Sequence, residues 1–209
     1  MSKIVVDSFL TIDGVMQAPG GPEEDRENDF PYGGWQAPLW DDECGAAIGA
    51  SFGRIEALLL GRKTYDIFAS FWPHVGEDHE DAAAGAALNA LPKYVASRTL
   101  TTVDWQNSTL LGDDVPAAVA KLREQPGGEI HVMGSADLTQ TLLRHDLVDE
   151  LSLMIFPVVL GTGKKLFGAG TVPAAFRLAE STVTKGGVVI ARYARDGEVR
   201  LGAHAGLEA

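Results

Sequence analysis

Three apolar runs in this chain end in the same way. ALLL, KYVA and IHVM run up to Gly61, Ser97 and Gly134, giving strands over Ala57 to Leu60, Lys93 to Ser97 and Ile130 to Met133. Short unbroken apolar runs are strands buried on both faces, as in a parallel sheet covered by helices. Open α/β sheets bind ligands outside the carboxyl ends of their strands, so three such ends can converge on one site. Gly61 and Gly134 allow close backbone approach, the Gly134 N–H facing the ligand, and the helices that follow offer unpaired N–H groups to an anion. Arg62 and Arg98 add permanently charged forks suited to phosphate. A nucleotide with more than one phosphate group would use all of these. Taken singly, each strand and small residue is equally well a tight turn, and both arginines have many acids with which to pair.

The remaining chain supports the same architecture. Ile4 to Leu10 is β-branched and apolar, a first strand. Thr11 to Pro38 is rich in Gly and Pro, with an acidic patch from Glu23 to Glu27; a segment of that length is either a lid over a ligand or a loose insertion. Helices are expected over Asp41 to Phe52 with an aspartate N-cap, Thr64 to Phe71, Ala82 to Leu91, Val115 to Gln125 and Ala136 to His145. A strand over Glu150 to Val159 follows. Phe176 to Lys185 and Val188 to Arg195 flank Gly186-Gly187, the signal of a two-residue hairpin. The predicted fold is α/β: a single three-layer domain with a central, mostly parallel mixed sheet flanked by helices and a C-terminal antiparallel hairpin. The domain is expected over residues 1–195, with a tail over 196–209.

Charge narrows the function classes. The net charge of −12 opposes coating by nucleic acid or anionic membrane, so an anionic ligand must meet locally placed Arg or Lys. Cys44 is the sole cysteine, which excludes an internal disulfide framework and a thiolate zinc cluster and suits a reducing cytosol. The N-terminal apolar run is too short for a signal peptide, and a cytoplasmic location is expected. His74, His79, Glu80 and Asp81 match no helix-borne metal motif, and a solvated acidic loop is the simpler reading. Gly161-Thr162-Gly163-Lys164-Lys165 fails both the phosphate-loop and the G-x-G-x-x-G spacing. No G-x-S-x-G elbow is present.

Four blocks together resemble the dihydrofolate reductase-like superfamily: Thr11-Ile12-Asp13-Gly14-Val15-Met16, Gly61-Arg62-Lys63-Thr64-Tyr65, the Gly134-Ser135 turn, and Phe156-Pro157-Val158-Val159-Leu160-Gly161-Thr162-Gly163. More closely, the chain is similar to bacterial proteins resembling the reductase domain of bifunctional riboflavin-biosynthesis deaminase/reductases. The resemblance runs from Lys3 to Arg195. It implies NADPH as hydride donor, with the Gly61-Arg62-x-Thr64 block, Ser97 and Arg98 around the adenosine 2′-phosphate and Gly134 and Ser135 near the pyrophosphate. It also implies cofactor contacts at Gly14 and Leu138, and a homodimer. The pterin-binding carboxylate of folate reductases aligns near Gly45, and Asp41, Asp42 and Glu43 lie up to about one helical turn before it. The expected activity is therefore reduction of a small heterocyclic or ribosylamino-pyrimidine substrate. The alternatives are a pterin reductase or a catalytically silent nucleotide-binding protein of the same fold. Asp13, just past the first strand, is the candidate proton-relay residue, and it is equally a turn residue ahead of Gly14.

Overall fold

Alternating apolar runs and amphipathic segments become one mixed sheet between two layers of helices in the computed structural model, which describes residues 1–204. Of the tail expected over 196–209, residues 205–209 lie outside the described residues. The elements are β1 (Lys3–Thr11), α1 (Asp42–Phe52), β2 (Ile55–Gly61), α2 (Arg62–Phe71), α3 (Ala82–Ala90), β3 (Lys93–Ala96), β4 (Ser108–Leu110), α4 (Val115–Glu124), β5 (Glu129–Met133), α5 (Ala136–Arg144), β6 (Glu150–Phe156), β7 (Phe176–Val183) and β8 (Val189–Arg195). The sheet order is β4-β3-β2-β5-β1-β6-β8-β7. The first six strands in that order are parallel, and β8 and β7 are added antiparallel.

Strand side chains alternate between the two faces, and each face has its own core. Val6, Leu59, Val132 and Leu153 pack with Val119 of α4 and Leu142 of α5. On the other face, Leu58, Leu60 and Val95 meet Tyr65 of α2 and Leu88 of α3, while Met154 and Phe156 meet Cys44 of α1. The continuous apolarity of the central strands follows from this double burial.

Three departures from the sequence expectations have local causes. β4 has no apolar run to announce it; Lys93 N–H bonds Asn107 C=O and Leu111 N–H bonds Val95 C=O, so backbone pairing to β3 creates it. β6 stops at Phe156 because Pro157 has no N–H to give the ladder. The hairpin loop has three residues, not two. Thr184 N–H bonds Val188 C=O and Gly187 N–H bonds Thr184 C=O. Only Gly187 takes positive φ, +83°, whereas a two-residue type I′ loop needs it at both glycines.

The long segment between β1 and α1 is ordered by burial. Ala18, Phe30 and Trp35 sit in the core with Phe156. Gln17 is buried and bonds the carbonyls of Asp25 and Glu27, while the Trp35 indole N–H bonds Gln17 C=O at 2.8 Å. Of the two readings of this segment, the structure favours a fixed cover over a loose insertion.

Candidate functional site

The connections out of two neighbouring strands open a crevice. From β2 the chain passes through α2 on one face to β3; from β5 it passes through α5 on the opposite face to β6. Adjacent strands whose connections leave in opposite directions part at their carboxyl ends. Gly61 and Gly134 stand there, each two residues beyond the paired Leu59 and Val132. The Ser135 hydroxyl joins the two lips: it accepts the Gly61 N–H at 2.8 Å and lies 2.9 Å from Thr64 Oγ1. A Cβ on Gly61 would stand 3.0 Å from Ser135 Oγ, so glycine is needed for this contact. β3 is the next strand, with Ala96 paired to Gly61, which brings Ser97 and Arg98 to the same edge. The structure thus gathers Gly61, Arg62, Thr64, Ser97, Arg98, Gly134 and Ser135, drawn from three separate stretches of sequence.

The crevice presents positive groups although the chain is acidic. Neither α2 nor α5 has a side-chain N-cap, so the first-turn amides of both helices point outward without a protein partner among the described residues. Arg98 is exposed, with no ion pair among the described residues, and Arg62 makes only an exposed 3.3 Å contact with Asp66 one turn along. Such a surface pair holds its arginine weakly. Asp137 is exposed on the first turn of α5.

Several expectations change in detail. No helix follows β3; the Ser97 hydroxyl instead accepts the N–H groups of Thr99 and Leu100 and folds a tight loop that presents Arg98. The Gly134 N–H does not face the crevice, since it bonds Asp7 C=O at 3.3 Å. Glycine is favoured at 134 by its φ of +60°, and a Cβ there would crowd Thr64 Oγ1 at 3.2 Å. Ser135 also takes positive φ, +57°. Leu138 is buried in the core beneath the Gly61–Ser135 junction, so its side chain supports the crevice from below.

Asp13 and Gly14 build a turn. Gly14 N–H bonds Thr11 C=O, with Gly14 at φ +81°. The Asp13 carboxylate accepts the Thr11 hydroxyl at 2.7 Å and the N–H groups of Leu160 and Gly161 at 3.2 and 2.9 Å. These donors, the Thr11 hydroxyl first, lower its pKa to about 2. Asp13 therefore ties the TIDG turn to the FPVVLGTG loop as a fixed anion, and an acid so held carries no proton at neutral pH.

The cover segment is fastened across this end of the sheet by ions that the sequence reading missed. Lys63 of α2 lies 2.7 Å from Asp25 and 2.5 Å from Glu27, and Lys164, after β6, lies 2.8 and 2.6 Å from the same two acids. Burial alone would raise the Asp25 pKa, but Lys164 and Lys63 outweigh it and hold it low. The patch from Glu23 to Glu27 was the available signal, and its partners lie far away in sequence.

At the other end of the cover, α1 offers the crevice no carboxylate. Asp41 caps α1 through Cys44 N–H and also accepts Gly186 N–H of the hairpin. Glu43 accepts Lys185 N–H at 2.6 Å. The inward positions of α1 are instead Cys44, which is buried, and Ala47, Ile48, Ser51 and Phe52, which are half-buried. No cluster of metal-ligating side chains occurs among the described residues. An apolar groove of about 490 Å³, lined by Leu143, Leu153, Phe176 and Tyr193 among others, opens over β6 and β8, away from the crevice.

Comparison with known proteins agrees with this geometry. The chain is 30% identical over 165 residues to the uncharacterized protein YyaP of Bacillus subtilis, covering 79% of this chain and 80% of the relative. It is 26% identical over 141 residues to the uncharacterized protein YwjB of the same organism, covering 68% and 74%. A crystal structure from Shewanella sp. PV-4, named for riboflavin biosynthesis, superposes with a TM-score of 0.70 at 22% identity over 93% of this chain and 99% of that one. A pyrimidine reductase-like protein of Corynebacterium diphtheriae superposes with a TM-score of 0.59 at 13% identity over 94% and 92%. The RibD C-terminal domain profile matches residues 2–190. With nearly the whole chain matched and the fold shared, the protein belongs to the RibD C-terminal domain family, whose architecture is that of the dihydrofolate reductases.

Proposed function

We propose that the protein is an NADPH-dependent reductase of a small heterocyclic substrate of the ribosylamino-pyrimidine kind. The observation that carries this reading is the meeting of two uncapped helix N-termini at the switch point, with Arg62 and Arg98 exposed beside them. Uncapped amides and helix dipoles suit a pyrophosphate, and two guanidinium groups suit a further phosphate on the adenosine. Bound there, the cofactor would supply hydride; the chain's part is to hold it, align the substrate and exclude water. The pterin alternative is weakened by α1, whose Asp41 and Glu43 hold the hairpin.

NADPH is expected to bind more tightly than NADH. Each charge-assisted bond to the extra phosphate is worth about 1.5 to 3 kcal/mol, so Arg62→Ala should weaken NADPH about tenfold or more and leave NADH nearly unchanged. Fluorescence titration of both cofactors checks this, and equal affinities in the wild type would remove the 2′-phosphate argument. Oxidation of NADPH at 340 nm against pterin, deazaflavin-like and ribosylamino-pyrimidine compounds then tests turnover. Binding without turnover across that panel favours a silent nucleotide-binding protein.

The functional unit is proposed to be a homodimer. The apolar segment Phe156 to Leu160 is one candidate contact for a second copy, but Phe156 is spent on the core and Val158 and Leu160 are half-buried, leaving Pro157 and Val159 exposed. β7 supports it better: this edge strand exposes Leu178 and Val183. Sedimentation at micromolar concentration should give about twice 22.2 kDa; a single species at the monomer mass would remove the proposal.

A further inference from the structure

One acid stands at the lip of the crevice with an oxygen to spare. Asp7 pairs across the sheet with Met133, the last residue of β5, and its carbonyl accepts the Gly134 N–H. It therefore lies directly beside the turn that opens α5. Its carboxylate Oδ2 bonds His131 Nδ1, while Oδ1 has no partner among the described residues. The Asp7 side chain is 23% exposed and that of His131 only 1%. His131 pairs with Leu58, which places both on the sheet face that α1, with its half-buried inner side, covers.

Behind Asp7 the charges alternate down the sheet. His131 Nε2 is 2.9 Å from Glu129, which accepts Arg192 at 2.6 Å; Arg192 also bonds Glu150 at 2.5 Å, and Glu150 accepts Lys3 at 2.6 Å. Arg54, following α1, lies 3.7 Å from Glu129 and is exposed at the far end. Cys44, the buried ionisable group on α1, has its thiol pKa pushed up by burial. Hydrogen-bonded side chains thus link a partly exposed carboxylate beside the crevice to solvent at the opposite edge.

We propose that Asp7 is the catalytic acid of the reductase and that His131 is the positioning residue that reloads it. The inference rests on the reductase reading above. The His131 imidazolium passes its Nδ1 proton to the Asp7 carboxylate; as hydride adds to the carbon of a C=N or C=O bond, the π pair moves onto nitrogen or oxygen, which takes that proton from Asp7. Asp7 is left as the carboxylate and His131 as the neutral imidazole, which regains a proton from solvent by way of Glu129. Substrate gains one hydride and one proton, and the dihydronicotinamide donor is oxidised. Burial alone would lower the His131 pKa; the bond to Asp7 and its charge, with Glu129 behind, outweigh this and raise it, which favours the imidazolium as the proton source. Asp13, whose carboxylate oxygens are taken up by the Thr11 hydroxyl and the Leu160 and Gly161 N–H groups, is left to its turn.

The test uses the full chain, NADPH and the phosphoribosylamino-pyrimidine as probe. Asp7→Asn should bind NADPH as the wild type does and lose turnover about a hundredfold or more, the scale of general acid catalysis; Asp7→Glu should recover part of it. Independently of turnover, nitrogen NMR of the cofactor-free protein should show the His131 midpoint falling in Asp7→Asn. Wild-type turnover should decline as pH rises and His131 loses its proton, a reading that needs no variant to fold. Turnover in Asp7→Asn within threefold of wild type, an unmoved His131 midpoint, or a pH profile with no alkaline decline would each overturn the assignment and leave the reductase reading standing. A wild type that binds NADPH and reduces nothing overturns both.

Discussion

Arg192→Ala is expected to destabilise the fold by about 3 to 5 kcal/mol, the scale seen when one partner leaves a buried ion network. Arg192 is buried and is shared by Glu129 and Glu150, themselves mostly buried. Removing it leaves two carboxylates and their negative charge against the sheet. The network as a whole need not add net stability, because burying its ions is costly, but taking one member away leaves the others unbalanced. A pH signature accompanies the loss. Burial would raise both acids from their ordinary 4.5, and their cationic partners hold them below it, Arg192 and His131 for Glu129, Lys3 and Arg192 for Glu150. Depressed carboxylates contribute stability that is whole above 4.5 and is lost as pH falls through their folded values. Without Arg192 that contribution shrinks, and acid unfolding should begin at higher pH. Thermal melts from pH 3 to 7 measure both effects, and a variant melting within a degree of wild type across that range would contradict the account.

Gly163→Ala is the second large expected effect. Gly163 has φ +118°, and a Cβ there would stand 2.7 Å from both Phe30 Cε2 and Val15 Cγ1. Phe30 and Val15 belong to the core that seats the cover segment. Strained backbone and overpacking each cost about 1 to 3 kcal/mol, so a total loss of about 2 to 6 kcal/mol is expected. It should be local in character: limited proteolysis between Thr11 and Pro38 should quicken more than the global melt shifts. Unchanged proteolysis and an unchanged melt would show that Phe30 and Val15 yield without cost.

These positions show what a single sequence discloses. The runs ALLL, KYVA and IHVM were legible as strands because double burial leaves them apolar throughout, and their small terminal residues led to the crevice. That β2, β3 and β5 are neighbours was not legible, since β5 is inserted between β2 and β1 by a connection arriving from β4. β4 itself carries no side-chain pattern because backbone pairing alone makes it. Asp13 drew attention by its place in the TIDG block, yet its donors at Leu160 and Gly161 lie 147 and 148 residues away and decide its chemistry. Asp7 and His131 were visible only as polar interruptions of apolar strands, and their pairing depends on the β1–β5 register. Gly163 was quoted as part of a block, while its need for glycine comes from Phe30, far away in the chain.

On the proposed function, the four ions that fasten the cover would also set how quickly a ligand passes beneath it. Lys63, Lys164 and Glu27 are substantially exposed, and only Asp25 of the four is buried. Exposed charges are screened over a distance that shrinks from about 10 Å at 0.1 M salt to about 3 Å at 1 M. Ionic strength therefore loosens this latch while the apolar seat formed by Phe30 and Trp35 keeps its strength. On the proposed function, salt would become a kinetic control: it would speed exchange between crevice and solvent, while the proposed phosphate contacts would weaken for the same reason. In salt-rich medium the protein would hold its ligand briefly and often; in dilute medium, rarely and long.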